Sequence, residues 1–246
     1  MEVKLVARTL DVIALFSQEC RPLSLTEISS ALNIPMSSCL ALVRTLAVKG
    51  YVYEVRKRGG YYPTRKLLTQ CLKISTSDVL LDLCEPVLNE LRDQSGESVV
   101  LGKRMDACVI YLACIPSSNP IRYSIDVGDS RPLQSNALGK ILFAMEDPSE
   151  KQKIMEQITW QKFTEHTIAD RDSFLQLSEQ WAQQGWAANE GEKVADLASI
   201  AVPFRYGTDW YSFAIAGPID RIKAQWESQL RLVQGAKEKL DFILES

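Results

Sequence analysis

Residues 24–50 read SLTEISSALNIPMSSCLALVRTLAVKG, and the punctuation of this stretch decides the fold of the first part of the chain. Ser24-Leu25-Thr26-Glu27 has the Ser-x-x-Glu form of a capping box. The apolar stripe Leu25, Ile28, Leu32 then predicts a short helix ending near Asn33. Pro35 suits the first position of a further helix with the buried stripe Cys39, Leu42, Val43 and Leu46, and Gly50 stands where a C-terminal cap belongs. Two helices joined by such a short turn form a helix-turn-helix.

Upstream, Leu5, Val6, Leu10, Ile13, Leu15 and Phe16 recur near helical spacing, which predicts a helix from about Lys4 to Gln18, closed before Pro22. Downstream, Tyr51 to Val55 and Tyr61 to Pro63 predict two short strands, with Gly59-Gly60 supplying positive φ for the turn. The order helix, short helix, turn, helix, basic hairpin is that of a winged helix-turn-helix. In it the last helix enters the ~12 Å major groove by its N-terminus. The non-core positions Met36, Ser37, Ser38, Leu40, Ala41 and Arg44 are then available to bases and backbone. The tip Arg56-Lys57-Arg58 would reach neighbouring phosphates or a minor groove. The alternative is a protein-interaction module with a soluble basic loop.

Charge is divided in the same place. The 246 residues carry a net charge of −3, but residues 1–66 hold ten basic and five acidic side chains while the remainder holds 18 and 26. A basic module joined to an acidic one is a footprint for nucleic acid at one end of the chain. A hydrophobic content of 46% with 24% charged residues excludes disorder as the main state. No apolar run approaches the ~20 residues a bilayer needs, and Met1-Glu2-Val3-Lys4 does not read as a signal peptide. Six cysteines without Cys-x-x-Cys spacing fit a reducing cytoplasm, with no membrane partner.

Beyond the hairpin, Thr64 to Ile74 keeps Leu67, Leu68, Cys71 and Ile74 on one face and predicts a linker helix ending at Ser75-Thr76-Ser77. Asp78 can cap the next helix, Val79 to Asp93. Strands are then predicted at 98–103, 108–115, 121–126, 199–204 and 210–216, and helices at 136–145, 171–184 and 221–244. This gives domains at 1–64, 65–77 (the linker) and 78–246, the last an α+β domain with one antiparallel sheet and helices packed against it.

Catalytic patterns are scarce. Gly-x-Ser-x-Gly, His-Glu-x-x-His, Gly-x-Gly-x-x-Gly and the phosphate-cradling Gly-x-x-x-x-Gly-Lys-Ser/Thr do not occur. His166 is the single histidine, in a polar stretch, and clustered zinc-ligand spacing is missing. Glu190 and Glu192 could in principle do acid–base work, but no partner motif accompanies them. No catalytic residue, metal ligand or cofactor is expected, and a pocket-forming domain without chemistry fits sensing.

Two stretches carry a resemblance to the IclR family of transcriptional regulators. One runs from Leu25-Thr26-Glu27-Ile28 through Asn33-Ile34-Pro35-Met36-Ser37-Ser38 to Lys49-Gly50-Tyr51-Val52. The more specific one is Val127-Gly128-Asp129-Ser130-Arg131-Pro132-Leu133-Gln134-Ser135-Asn136-Ala137-Leu138-Gly139-Lys140, with Gly185-Trp186-Ala187 and Ile200-Ala201-Val202-Pro203-Phe204 downstream. The resemblance implies an N-terminal winged helix on double-stranded operator DNA, a linker helix, and a GAF-like domain that binds a small organic effector and helps form a homodimer or homotetramer. It also implies an effector pocket bordered by Ala137, Leu138, Gly139, Asn189, Leu197, Ser199, Ala214 and Ala216.

Departures from the family pattern shape the expectation. Members that hold small α-keto acids tend to have an acidic residue where Asn189 stands, cysteine at Ser199 and serines at Ala214 and Ala216. The missing hydroxyls point to a larger or less polar effector, an aromatic or aliphatic acid, unless the two alanines only pack the sheet. On the DNA side, Met36 and Ala41 replace usual basic residues, which leaves Arg44 as the cation of that helix. The resulting expectation is a cytoplasmic, effector-responsive regulator, a repressor rather than an activator. An enzyme with an unrecognised site and a ligand-independent DNA-binding protein are the alternatives.

Overall fold

The computed structural model of the chain describes residues 3–56, 59–75 and 77–245, which fold as two units, Met1–Asp78 and Val79–Ser246. In the first unit α1 (Lys4–Glu19) precedes α2 (Leu25–Ala31) and α3 (Met36–Val48). The capping box closes as expected: the Glu27 amide donates to Ser24 Oγ at 3.2 Å, and the Ser24 amide donates to the Glu27 carboxylate at 2.8 Å. The chain bends by 115° between α2 and α3, within the range of a helix-turn-helix. Val12, Phe16, Ile28, Cys39, Val43 and Leu46 bury into one core.

The wing is the hairpin β1 (Val52–Glu54) and β2 (Tyr61–Pro63), antiparallel with Tyr53 opposite Tyr62. Leu23 adds a bridge to it, exchanging backbone hydrogen bonds with Tyr61 at 3.0 and 2.8 Å. Gly60 is needed there. Its φ is +93°, and a Cβ would stand 3.0 Å from the Leu23 backbone. α4 (Lys66–Ser75) follows and buries no residue.

The second unit holds α5 (Val79–Ser95), β3 (Ser98–Met105), β4 (Cys108–Ile115), β5 (Ser130–Pro132), a single 3-10 turn (Leu133–Ser135), α6 (Ala137–Ala144), α7 (Pro148–Gln157) and α8 (Arg171–Gln184). β6 (Ala187–Glu190), β7 (Leu197–Tyr206), β8 (Asp209–Pro218), α9 (Ile219–Ala224) and α10 (Trp226–Glu245) complete it. Its one sheet is antiparallel throughout, in the order β5-β4-β3-β8-β7-β6.

Two expectations need correcting, and two elements stand beyond those expected. Residues 121–126 form no strand. The edge of β4 is occupied instead by 128–132: Gly128, at φ +88°, donates to Tyr111 O, Tyr111 donates to Asp129 O, and β5 pairs beyond them. The predicted final helix breaks at Gln225 into α9 and α10. α7 was not anticipated, although Asp147 caps it through the Ser149 and Glu150 amides with Pro148 at its start. β6, a short edge strand on β7, was also missed.

The two faces of the sheet differ in side-chain size, and this difference makes the cavity. One face presents Val99, Leu101, Ile200, Val202, Phe213 and Ile215 to a core shared with α5 and α10. The intervening positions, which the pleat turns to the opposite face, are smaller on β7 and β8: Ser199 and Ala201, Ala214 and Ala216, in register as Ser199–Ala216 and Ala201–Ala214. α6 and α8 cover this side with Leu138, Ile141, Leu142, Phe143 and Phe174. Among the described residues no single helix is long and apolar enough to cross a membrane.

Candidate functional site

The α3 positions that the sequence offers to DNA fall on the outer side of that helix or half-way round it. Met36, Ser37, Ala41 and Arg44 are exposed, while Ser38 and Leu40 are half-buried against the core stripe. The helix starts on Pro35 with no side-chain cap, so its first amide donors remain for solvent or a phosphate oxygen. No carboxylate lies within 4.0 Å of Arg44 among the described residues, whereas Arg21 is neutralised by Glu19 and Glu27 at 2.9 and 2.7 Å. Thr45 and Val48 are exposed too and continue the stripe from Ala41 and Arg44 at helical spacing, a signal the sequence reading passed over. Arg56 is exposed at the end of the wing, and Lys57 and Arg58 lie outside the described residues.

The second constellation is a small cavity of about 30 Å³, partly open to solvent, where α6 begins over the small-residue face of the sheet. Five of the predicted effector positions line it: Leu138, Asn189, Leu197, Ser199 and Ala216. Three do not. Ala137 and Ala214 are wholly buried in the core between α6 and the sheet. Gly139 packs on the 3-10 turn, where a Cβ would stand 2.4 Å from the Leu133 carbonyl oxygen. The helix can settle this deeply because these residues are small; they set the cavity wall from behind.

Other residues enter that the sequence did not single out. Tyr111, Tyr123, Arg131, Ser135, Asn136 and Lys193 also line the cavity. Asn136 caps α6, accepting from the Leu138 amide at 3.0 Å, and its Nδ2 donates to Tyr111 Oη at 2.7 Å. Burial, then the neighbouring Tyr123, pushes the Tyr111 phenol above its usual range, so it stays neutral. Ser135 Oγ is buried with no hydrogen-bond partner among the described residues. Sequence spacing could not find Arg131, from β5, and Lys193, from the loop after β6, because only the fold brings them to one space.

That loop, residues 191–196, is anchored from outside the cavity. The buried ammonium of Lys140 on α6 donates to Ala188 O at 2.9 Å and to Glu192 Oε1, and lies 5.3 Å from the Trp181 ring centre. Burial lowers the Lys140 pKa and raises that of Glu192, against their mutual attraction. The Glu192 amide donates to Asn189 Oδ1 at 3.0 Å, and Thr164 and Thr167 hydroxyls donate to Gly191 O and Glu192 O at 2.7 and 2.5 Å. Glu192, considered above for acid–base work, is thus held in a buried ion pair. No group of three or more His, Cys, Asp and Glu side chains suited to a metal occurs among the described residues.

Comparison with known proteins places this geometry. Residues 73–241 match the family model of the bacterial transcriptional regulator IclR C-terminal domain, and residues 5–56 match that of the IclR helix-turn-helix domain. The chain is 26% identical over 225 residues to the HTH-type transcriptional regulator KdgR of Escherichia coli, covering 91% of this chain and 85% of that protein. It is 24% identical over 224 residues to the HTH-type transcriptional repressor AllR of the same organism, covering 90% and 83%. The crystal structure of an IclR homologue from Microbacterium hydrocarbonoxydans in complex with 4-hydroxybenzoate has the same fold, with a TM-score of 0.80 at 18% identity over 98% of this chain and 99% of that one.

Proposed function

Because the chain belongs to the IclR family of DNA-binding transcriptional regulators, in which it is a regulator and not an enzyme, we propose that it reads operator DNA with the outward stripe of α3 and responds to a small organic effector in the cavity of its second unit. The observation that carries the DNA assignment is the uncapped α3 N-terminus followed by exposed Ser37, Ala41 and Arg44 on one face. Met36, Ser37, Ser38, Leu40 and Ala41 supply hydroxyl and apolar contacts in the groove, Arg44 supplies charge, and Arg56, Lys57 and Arg58 hold flanking phosphates. The regulator works in the cytoplasm as a repressor, as its relative AllR is named.

A symmetric homodimer fits the first unit. α1 exposes Leu5, Val6 and Leu10, and α4 exposes Leu68, Leu72 and Ile74 without burying any of its own residues. An apolar helix face left bare in water favours a partner surface. A dimer would place two recognition helices about 34–36 Å apart on a roughly palindromic site. Dimers pairing further through the second unit would give a tetramer. In the cavity, Leu138, Leu197 and Ala216 contact the apolar body of the effector, and Asn189 and Ser199 its polar groups, with Ala137, Gly139 and Ala214 shaping the wall. The aromatic acid held by the Microbacterium homologue supports an organic acid of that kind.

The test is a gel-shift titration of the full chain on the DNA upstream of its own gene. Arg44→Ala is expected to weaken binding about 10-fold or more, as loss of one charged groove contact does. Retention of full affinity by Arg44→Ala would refute this contact assignment. Sedimentation of a monomer at micromolar concentration would refute the dimer.

A further inference from the structure

Arg131 and Lys193 bring two positive charges to one small cavity from segments more than sixty positions apart. Arg131 is paired once, with Asp129 Oδ2 at 2.7 Å. Lys193 has no carboxylate within 4.0 Å among the described residues; its ammonium rests 5.3 Å from the Phe163 ring centre. The acidic side chains on the neighbouring segments are engaged elsewhere or point to water: Glu190 with Lys223 at 2.9 Å, Glu192 with Lys140, and Asp196 exposed. Burial and then the Arg131 charge hold the Lys193 pKa below its ordinary range. Two cations lining one half-dry space repel one another, and an anion bound beside them offsets the repulsion.

A second feature borders the same space. Ser135 lines the cavity, and its buried Oγ meets no donor or acceptor among the described residues. A buried hydroxyl without a partner is costly unless a ligand or water satisfies it. Resting on the reading of this cavity as the effector pocket, we propose that Arg131 and Lys193 form an anion clamp. It takes the carboxylate of a small organic acid, and Ser135 receives a hydroxyl or keto oxygen elsewhere on the same ligand. The guanidinium plane offers two parallel donors to the carboxylate and the ammonium a point charge. Leu138 and Leu197 cover the carbon skeleton. The clamp makes the protein selective for acids over their neutral amides, because the amide leaves the Lys193 ammonium without a counter-charge.

The test is calorimetric titration and thermal shift of the full-length protein with 4-hydroxybenzoate, 2-oxobutanoate and 2-hydroxybutanoate, each against its primary amide. At least one acid is expected to bind and raise the melting temperature, with its amide at least 10-fold weaker. Arg131→Gln and Lys193→Gln should each weaken that acid about 10-fold or more, while the ligand-free melting temperature of Lys193→Gln equals or exceeds that of the parent because the repulsion from Arg131 is gone. Acid and amide binding equally well, either variant keeping full affinity, or no acid binding at all would overturn the clamp. Operator binding by the unliganded parent protein is read in the same preparation, so a failed clamp is distinguishable from a failed regulator.

Discussion

Replacing Lys140 by methionine tests the anchor of the cavity loop. Lys140 is 2% exposed and Glu192 6%, and among the described residues Glu192 Oε2 has no partner and Lys140 is the one cation bonded to Glu192 Oε1. Lys140→Met fills much the same volume but strands a buried carboxylate, a change that costs about 3–5 kcal/mol. At about 2–4 °C per kcal/mol for a unit of this size, the melting temperature should fall by roughly 6–20 °C. The double variant Lys140→Met/Glu192→Met removes both charges, and in a well-packed site it should return to within about 1–2 kcal/mol of the parent or exceed it. The sign with pH follows from the carboxyl. Burial raises the folded pKa of Glu192 above its ordinary 4.5, so in Lys140→Met stability is greatest below that value and is lost as pH rises through the raised one. Urea unfolding followed by circular dichroism gives the energies, and hydrogen exchange over 189–196 reports whether the loop loosens. A single variant costing under about 1 kcal/mol, or a double variant as unstable as two independent losses, would refute the reasoning.

Ser24→Ala removes the acceptor of the Glu27 amide and should cost about 1 kcal/mol in urea titration. The Ser24 amide and hydroxyl, then Arg21, hold the Glu27 carboxyl at about 2; the stability this brings is present above the ordinary 4.5 and lost as pH falls toward 2, and side-chain carboxyl shifts in an NMR titration would show it. Gly139→Ala drives a Cβ to 2.4 Å from the Leu133 carbonyl oxygen and should destabilise by about 1–3 kcal/mol, while an unchanged urea midpoint would show that α6 can lift off the turn. Operator affinity should fall steeply with salt, and Arg44→Ala should reduce the slope of log K against log salt by about 0.9 if Arg44 neutralises a phosphate, or leave it unchanged if it touches only bases.

How far the site was legible follows from where its signals lie along the chain. The helix-turn-helix was readable because its determinants are local: the Ser24–Glu27 box, Pro35 at a helix start and Gly50 at its end act within a turn or two of themselves. The outward face of α3 follows from the same periodicity, since Cys39, Leu42, Val43 and Leu46 fix which side is buried. The strand expected at 121–126 failed because pairing is a competition between segments. Residues 128–132 take the β4 edge with hydrogen bonds that no property of Ile121 to Asp126 reveals. The resemblance led to Leu138, Asn189, Leu197, Ser199 and Ala216 on the cavity, yet could not separate them from Ala137, Gly139 and Ala214, which share a helix or a strand with them.

By itself, then, the sequence determined the winged helix, the alternation of large and small residues along β7 and β8, and the family to which the chain belongs, because periodicity, caps and motif spacing are properties of neighbouring residues. The tertiary structure alone decided the cavity's chemistry. Arg131 and Lys193 come to line one cavity, and Lys140 meets Glu192, across 62 and 52 positions. Whether a charge is solvated, paired or left facing a cavity depends on what the fold places around it, and that is written in no single stretch of chain.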